Sequence, residues 1–320
     1  MFVFTNIHKK SDRAMKHLFP GSMIALMAAA ALLLCAVPCK ADVLFIHDVR
    51  MEDYYGGSQN AELLAGYTPQ AMFIDRTARY TGIFLKTFWG KEKEVRETTH
   101  FLLDKDQIRE LDYHKNKAVI YSFDKLSDIN WIDRSITKKM DEDVAQKIKD
   151  RYRPLPPRLS VTIHPEKETI RGYVCTRVEA DLHLETIDMK KNATSVTLVK
   201  HKLWVSTKVP GYDQYNAFQN KLAKRLGLDA LRLGNLSILL GYWNGSLDPI
   251  RNSLKDIKGY PVKSITTVEG RFTEGTDTAS PKIFSKQLKE ESVELTKVSM
   301  EKMGKERFAV PSDFGLTIVE

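Results

Sequence analysis

The chain has 320 residues, with 49 Lys+Arg against 41 Asp+Glu (formal net charge +8), 42% hydrophobic residues and three cysteines. A chain of this length buries a core without disulfide staples. A charge excess this small is not the footprint of a nucleic-acid binder.

At the N-terminal end, "MIALMAAAALLLCAVP" (residues 23–38) is one uncharged apolar run. It follows Lys9, Lys10, Arg13 and Lys16 and precedes the small Ala41 and then Asp42. A basic region, an apolar region and a small-residue exit make the layout of a secretory signal peptide. The run of 16 residues falls short of the roughly 20 that a membrane span needs. Residues 1–41 are therefore expected to be a signal peptide cleaved after Ala41, with Met15 the more natural start; an uncleaved anchor is the other reading. Cys35 and Cys39 follow Leu34 and Pro38, where a lipoprotein signal wants a small residue. Cleavage removes both, leaving Cys175 alone, and lowers the net charge from +8 to +4 by taking five Lys/Arg and one Asp.

From residue 42 to 320 there is no Gly/Ser linker, low-complexity tract or repeat, so one domain is expected. In "DVLFIHDVR", Val43, Phe45, His47 and Val49 alternate with Leu44, Ile46 and Asp48, which predicts a strand. "GGSQNAE" near Gly56 reads as a loop, since a phosphate-binding loop would need a following Lys-Ser/Thr. Charges from Lys86 to Arg153 alternate in sign, as on a solvated face. "QIRELDYHKNKAVIYSFD" predicts a hairpin turning at His114–Lys117. Ile136, Met140, Val144 and Ile148 recur every four residues and predict a helix stopped by "PLPP". "RLSVTIHPEKETIRGYVCTRVEADLHLE" then reads as a strand, a Pro-Glu-Lys turn and a long strand. In that strand Val174, Thr176, Val178, Ala180, Leu182 and Leu184 share one face. "SVTLVKHKLWVST" is another strand. Helical signals run from about Asp213 to Lys258, and "YPVKSITTVEGRF" and 281–300 return to β. Long strands with helices inserted predict an α+β fold, with helices laid on one face of a sheet.

Four stretches, in order, carry a family resemblance: Ile170, Gly172, Tyr173 and Cys175; Trp204, Val205 and Ser206; Gly259, Tyr260, Pro261 and Val262; and Phe308, Val310 and Pro311. The chain resembles a bacterial exported family of unknown function, grouped with the LolA/LolB-like lipoprotein carriers. The resemblance implies a curved antiparallel sheet, an unclosed LolA-like β-barrel, with helices packed on its concave face. It implies a periplasmic protein of the bacterial envelope, where the concavity of the carriers holds acyl chains. Asn192-Ala-Thr, Asn235-Leu-Ser and Asn244-Gly-Ser are formal glycosylation triplets, but the resemblance points to bacteria. It also places Cys175 as the family cysteine, which in an apolar-packed strand acts as a small hydrophobe with little reactivity.

The chain has no zinc-protease, nucleophile-elbow, P-loop or dinucleotide motif. The carboxylates of "DEDVAQKIKD" lack the spacing and glycine of a calcium loop. His183 and His201 could meet across neighbouring strands, but a lone strand histidine more often fills a core than binds metal. No enzyme activity, cofactor, metal or nucleic-acid partner is therefore expected. The densest signal is "LAKRLGLDALRLGNLSILLGYWNG" (residues 222–245), richer in Leu than one buried stripe needs, yet carrying Lys224, Arg225, Asp229 and Arg232, which argue against a membrane span. It reads as a core helix pair, as the wall of an apolar cavity, or as a membrane-surface element. The leading expectation is a protein that binds an acyl chain or other hydrophobic ligand, lined by Leu226, Leu231, Leu236, Leu239, Leu240, Tyr242, Trp243 and Trp204. The alternative is a structural or interaction module with a self-filled interior and a partner protein in the envelope.

Overall fold

The structure is a computed structural model that describes residues 42–54, 57–81, 93–127, 146–147, 150–191, 193–225, 257–274 and 282–319. Residues 42–320 form one compact unit. Among the described residues, thirteen strands make one sheet. The first half is a meander of β1 (Val43–Asp53), β2 (Gly57–Tyr67), β3 (Ala71–Thr81), β4 (Lys93–Leu102), β5 (Gln107–Asp112) and β6 (Lys117–Tyr121). The second half runs through β8 (Arg158–Ile170), β9 (Tyr173–Asp188), β10 (Ala193–Ser206), β11 (Tyr260–Glu274) and β12 (Lys282–Ser299). β12 pairs antiparallel with β1 and joins the halves. The short β7 (Tyr152–Pro154) pairs with the far end of β9. The last strand, β13 (Gly315–Val319), lies parallel to β6. The path runs from β13 to β7 without closing.

Residues directly opposite one another share a face of a sheet, so the register carries one face across both halves. Val178, Leu203, Ser264, Val293, Val49, Ala61 and Ala78 form a single rung over seven strands. The same inner face bears Phe45, two turns of the pleat from Val49. Helix α2 (Tyr212–Arg225) lies on it, burying Tyr215, Phe218 and Leu222, the i, i+3, i+7 stripe of an amphipathic helix. Tyr215 meets Tyr260 of β11 at 4.9 Å, and Arg225 reaches Asp106, in the β4–β5 turn, at 2.7 Å. Those anchors are about five strands apart, roughly 24 Å on a flat sheet, whereas ten helical residues span about 15 Å. The sheet curves round the helix, which sits across it as a chord.

The outer face of the first half is covered by the chain that leads to β13. The Phe308 ring lies edge-on to Phe73 at 5.7 Å, and Arg109 Nη1 donates to the Phe308 carbonyl at 3.2 Å. Farther on, Phe314 packs with Leu111 and Ala118. The landmark Phe308–Pro311 is thus a strap over the sheet.

Three expectations change. The fold is mostly β rather than α+β: besides α2, the short α1 (Phe123–Ser127) is the other α-helix for which a full span is described. The stretch read as a loop near Gly56 becomes β2 from Gly57 onward, because its inward positions are filled by Gln59 and Ala65, buried to 2% and 4% exposure. The Pro-Glu-Lys turn is no turn. β8 runs through it as a wide bulge between Ile163 and Lys167. The chain reverses instead at Arg171 and Gly172, with φ of 51° and 82°, the positive pair that matches the twist of a two-residue hairpin. The repeat at Ile136, Met140, Val144 and Ile148 lies outside the described residues, although Gln146, Lys147, Asp150 and Arg151 are helical.

Candidate functional site

Two regions of the inner face differ in how they are filled. Beneath α2 the space is taken by the protein's own rings. Phe45 and Tyr260 stack at 3.8 Å with 16° between planes, and Tyr67 meets Tyr215 at 5.3 Å and Phe218 at 5.8 Å. His47 is locked into this plug. Its Nδ1 faces the Leu63 carbonyl at 3.4 Å, and its Nε2 faces the Tyr260 hydroxyl at 3.0 Å. A neutral ring that donates from Nδ1 and accepts at Nε2 satisfies both partners. Burial pulls His47 down to about 4 and pushes the Tyr67, Tyr215 and Tyr260 hydroxyls up.

Toward the β8 edge the same face carries a second buried cluster, which includes Val178, Ala180, Leu182, Val199, Leu203, Ile257 and Val268. β8, β9, β10 and β11 place three inward rungs side by side: Leu159–Leu182–Val199–Val268, Val161–Ala180–His201–Thr266, and Ile163–Val178–Leu203–Ser264. A depression of about 290 Å³ is lined by Leu159, Leu182, Val199 and the residues flanking them, including Arg158, Asp181, His183 and Lys200. Six of its lining residues, Arg158, Ser160, Asp181, His183, Leu198 and Lys200, alternate to the face opposite the three rungs, and Leu182 and Val199, at 1% and 0% exposure, offer it no open surface. The middle rung interrupts the apolar cluster with one polar pair. His201 is 1% exposed and Thr266 2%, and His201 Nδ1 lies 2.7 Å from Thr266 Oγ1. Its Nε2 is buried with no partner. Burial lowers this histidine to about 4, so it is neutral.

The opposite face of the same strands holds a charged network. Trp204, out of phase with Leu203, donates from Nε1 to Glu168 Oε2 at 2.9 Å. Arg177 binds the other Glu168 oxygen at 3.1 Å, and the Lys263 ammonium sits 5.8 Å from the Trp204 ring centroid. Of the residues expected to line a ligand, Trp204 does not line the depression and packs in the buried cluster that holds Tyr215, Phe218 and Tyr260. Leu226, Leu231, Leu236, Leu239, Leu240, Tyr242 and Trp243 lie outside the described residues. Cys175, out of phase with Val178, Ala180 and Leu182, is fully buried in the cluster that holds Phe45, Trp204 and Tyr260. Its thiol donates to the Tyr173 carbonyl at 3.3 Å, and burial raises its pKa.

His183 and His201 do not meet: His183 pairs with Leu198 and His201 with Ala180, which puts the two rings on opposite faces. Among the described residues no group of three His, Cys, Asp or Glu is placed to hold a metal ion. Sequence reasoning passed over His201 as a lone strand histidine. The usable signal was its phase, shared with Val199, Leu203 and Val205.

No family model matches the chain, and no curated protein matches it. Among solved structures, a LolA superfamily protein from Nitrosomonas europaea, NE2245, is similar over 85% of this chain and 91% of its own, with 8% identity and a TM-score of 0.24. A likeness that loose carries no inference of its own, and the functional reading is drawn from this chain's own sheet.

Proposed function

We propose that this chain is a non-enzymatic envelope protein, exported to the periplasm, that holds an acyl chain or another hydrophobic ligand against its curved sheet. The observation that supports this most is the depression at the β8–β10 edge, about 290 Å³ in volume, where Leu159 and Leu198 sit among Arg158, Asp181, His183 and Lys200. That volume is close to the lower end of ligand pockets, roughly 300–1,000 Å³.

The test is direct. Delipidated protein titrated with a fluorescent fatty-acid probe should bind saturably, and Leu198→Trp, which fills the depression from a partly exposed position, should abolish that binding while leaving the fold intact by circular dichroism. Absence of saturable binding, together with no lipid in native mass spectra of the protein as purified, would overturn the reading.

A second reading draws on the aromatic plug under α2. There the interior is closed by Phe45, Tyr67, Tyr215, Phe218 and Tyr260, as in a structural module that needs no ligand and acts through a partner protein. It gains if the depression binds nothing.

A further inference from the structure

Large apolar side chains exposed singly need no account, whereas a group of them rimmed by polar residues does. Four gather at the end of the sheet where β1, β9 and β11 finish and β2, β10 and β12 begin. They are Tyr54, Met189, Phe272 and Phe284, exposed to 57%, 54%, 50% and 54%. Phe272 and Phe284 stand directly opposite each other on β11 and β12. Two residues on from Phe284 is Lys286, whose ammonium sits over the Tyr54 ring. Met189 tips the turn after β9, two strands from β11, roughly 10 Å across the sheet. That turn is fixed by its backbone. Asp188 Oδ1 accepts from the Lys190 and Lys191 amides at 3.0 and 3.1 Å, and its Oδ2 accepts from Arg151 Nη2 at 2.7 Å. The Met189 amide donates to the Arg151 carbonyl at 2.8 Å. Met189, Lys190 and Lys191 are all exposed, so the clamp presents a thioether and two ammonium groups to solvent with little left to order on binding.

The charge around this patch selects its partner. Arg153, Lys190 and Lys191 are exposed and make no ion pair among the described residues. The carboxylates near them are taken: Asp188 by Arg151, Glu185 by Arg158 at 3.3 Å, and Glu269 by Lys200 at 3.1 Å and Arg271 at 3.4 Å. Glu274 stands opposite Lys282, a pair that adds no net charge. Tyr54 is the member nearest to other carboxylates, with Asp53 opposite Lys289 and Glu52 opposite Glu290. Glu290 itself lies about 20 Å along β12 from Phe284. Across β7 to β11 the end of the sheet is therefore apolar and net positive. Apolar side chains set among free cations suit an anionic lipid surface, where the one enters the headgroup layer and the other meets its negative charge.

We propose that this end of the sheet is a peripheral membrane-docking surface: Met189, Phe272 and Phe284 enter the headgroup layer of an anionic bilayer, and Arg153, Lys190 and Lys191 face its negative charge. The docking needs no bound ligand and stands apart from the ligand-holding reading.

The experiment uses residues 42–320, the compact unit, so that the apolar run at 23–38 plays no part. The protein should sediment with phosphatidylcholine vesicles that contain phosphatidylglycerol, hardly with phosphatidylcholine alone, and less as salt screens the contact. Lys190→Gln and Lys191→Gln should each weaken binding about fivefold, the scale of one cation near a charged surface. Phe272→Ser combined with Phe284→Ser should weaken it about tenfold, through the loss of two half-exposed rings. A polarity-sensitive dye on Met189→Cys, where the buried Cys175 stays unlabelled, should shift to the blue with the anionic vesicles. The same dye on Lys105→Cys, in the β4–β5 turn at the opposite end of the strands, should not. Equal binding to neutral vesicles, binding untouched by the Lys and Phe substitutions, a silent dye at position 189 or no sedimentation at all overturns the proposal. The last outcome gives the patch to a protein partner, and none of them bears on fatty-acid binding in solution.

Discussion

Burial holds three histidines of this sheet neutral. His47, His100 and His201 are each lowered to about 4, chiefly by desolvation, while an unfolded histidine titrates near 6.5. As pH falls from about 6.5 toward 4, the unfolded chain takes up protons that the folded chain refuses, so stability declines through that window and these groups add no pH dependence above it. Each contributes up to about 3 kcal/mol once the window is crossed. Asp188 acts in a lower window: the Arg151 guanidinium holds its carboxyl down to about 2, so its contribution goes only as pH drops below roughly 4 toward 2. Urea unfolding at pH 7, 5.5 and 4.5 should show a steady loss, and a flat profile from 6.5 to 4 would contradict the burial of these rings. Cys175 is a second residue-level prediction. A free thiol at 0% exposure, with its pKa raised, should ignore a charged thiol reagent at pH 8 and react once denaturant is added.

At the level of elements, the glycines separate two costs. Gly172 has φ of 82° and no atom within 4 Å of where a Cβ would stand, so Gly172→Ala is penalised only for its left-handed backbone, by about 1 kcal/mol. Gly172→Asn should cost less, because Asn tolerates that conformation. At Gly66 a Cβ would run into the buried Phe73 ring and the Met303 sulfur, and Gly66→Ala should cost about 1–3 kcal/mol through crowding. Phe218→Ala, which empties the space between α2 and Tyr67, should cost about 3–5 kcal/mol. Chemical denaturation of the three variants checks the order. The alternation in β1, β9 and β10 was legible because Val, Leu and Phe mark every second position. β2 was not, since its inward Gln59 and Ala61 leave no apolar beat. The Arg171–Gly172 reversal escaped because the Pro165 beside it looked the stronger turn signal, yet a proline at a bulge loses no ladder bond. The α2 stripe was readable as the start of a helical stretch. The depression was not, because pairing Leu159 with Leu182 depends on how many residues the β8 bulge absorbs.

For the molecule as a whole, the two meanders are joined by the β1–β12 ladder, which places the best-buried strands in the middle of the sheet and leaves β8 and β13 at its margins. Amide exchange is expected to be slowest in β1, β10 and β12 and fastest in β13 and β8. A bound hydrophobic ligand should add protection to β8–β10 and leave β4–β6 unchanged, and a uniform gain over the sheet would place the binding elsewhere. Curvature was the least visible property in the sequence, because no residue pattern states it; it follows from where α2 finds its two anchors.

The parallel ladder between β6 and β13 has a cost in time. Lys117 waits for Gly315, a partner made about two hundred residues later, and at a synthesis rate of roughly 5–20 residues per second the β6 margin stays bare for on the order of ten seconds or more. A bare strand margin recruits other chains. The newborn polypeptide is therefore most prone to clump before β13 emerges, and a chaperone that covers β6 during that interval should raise the yield of folded protein.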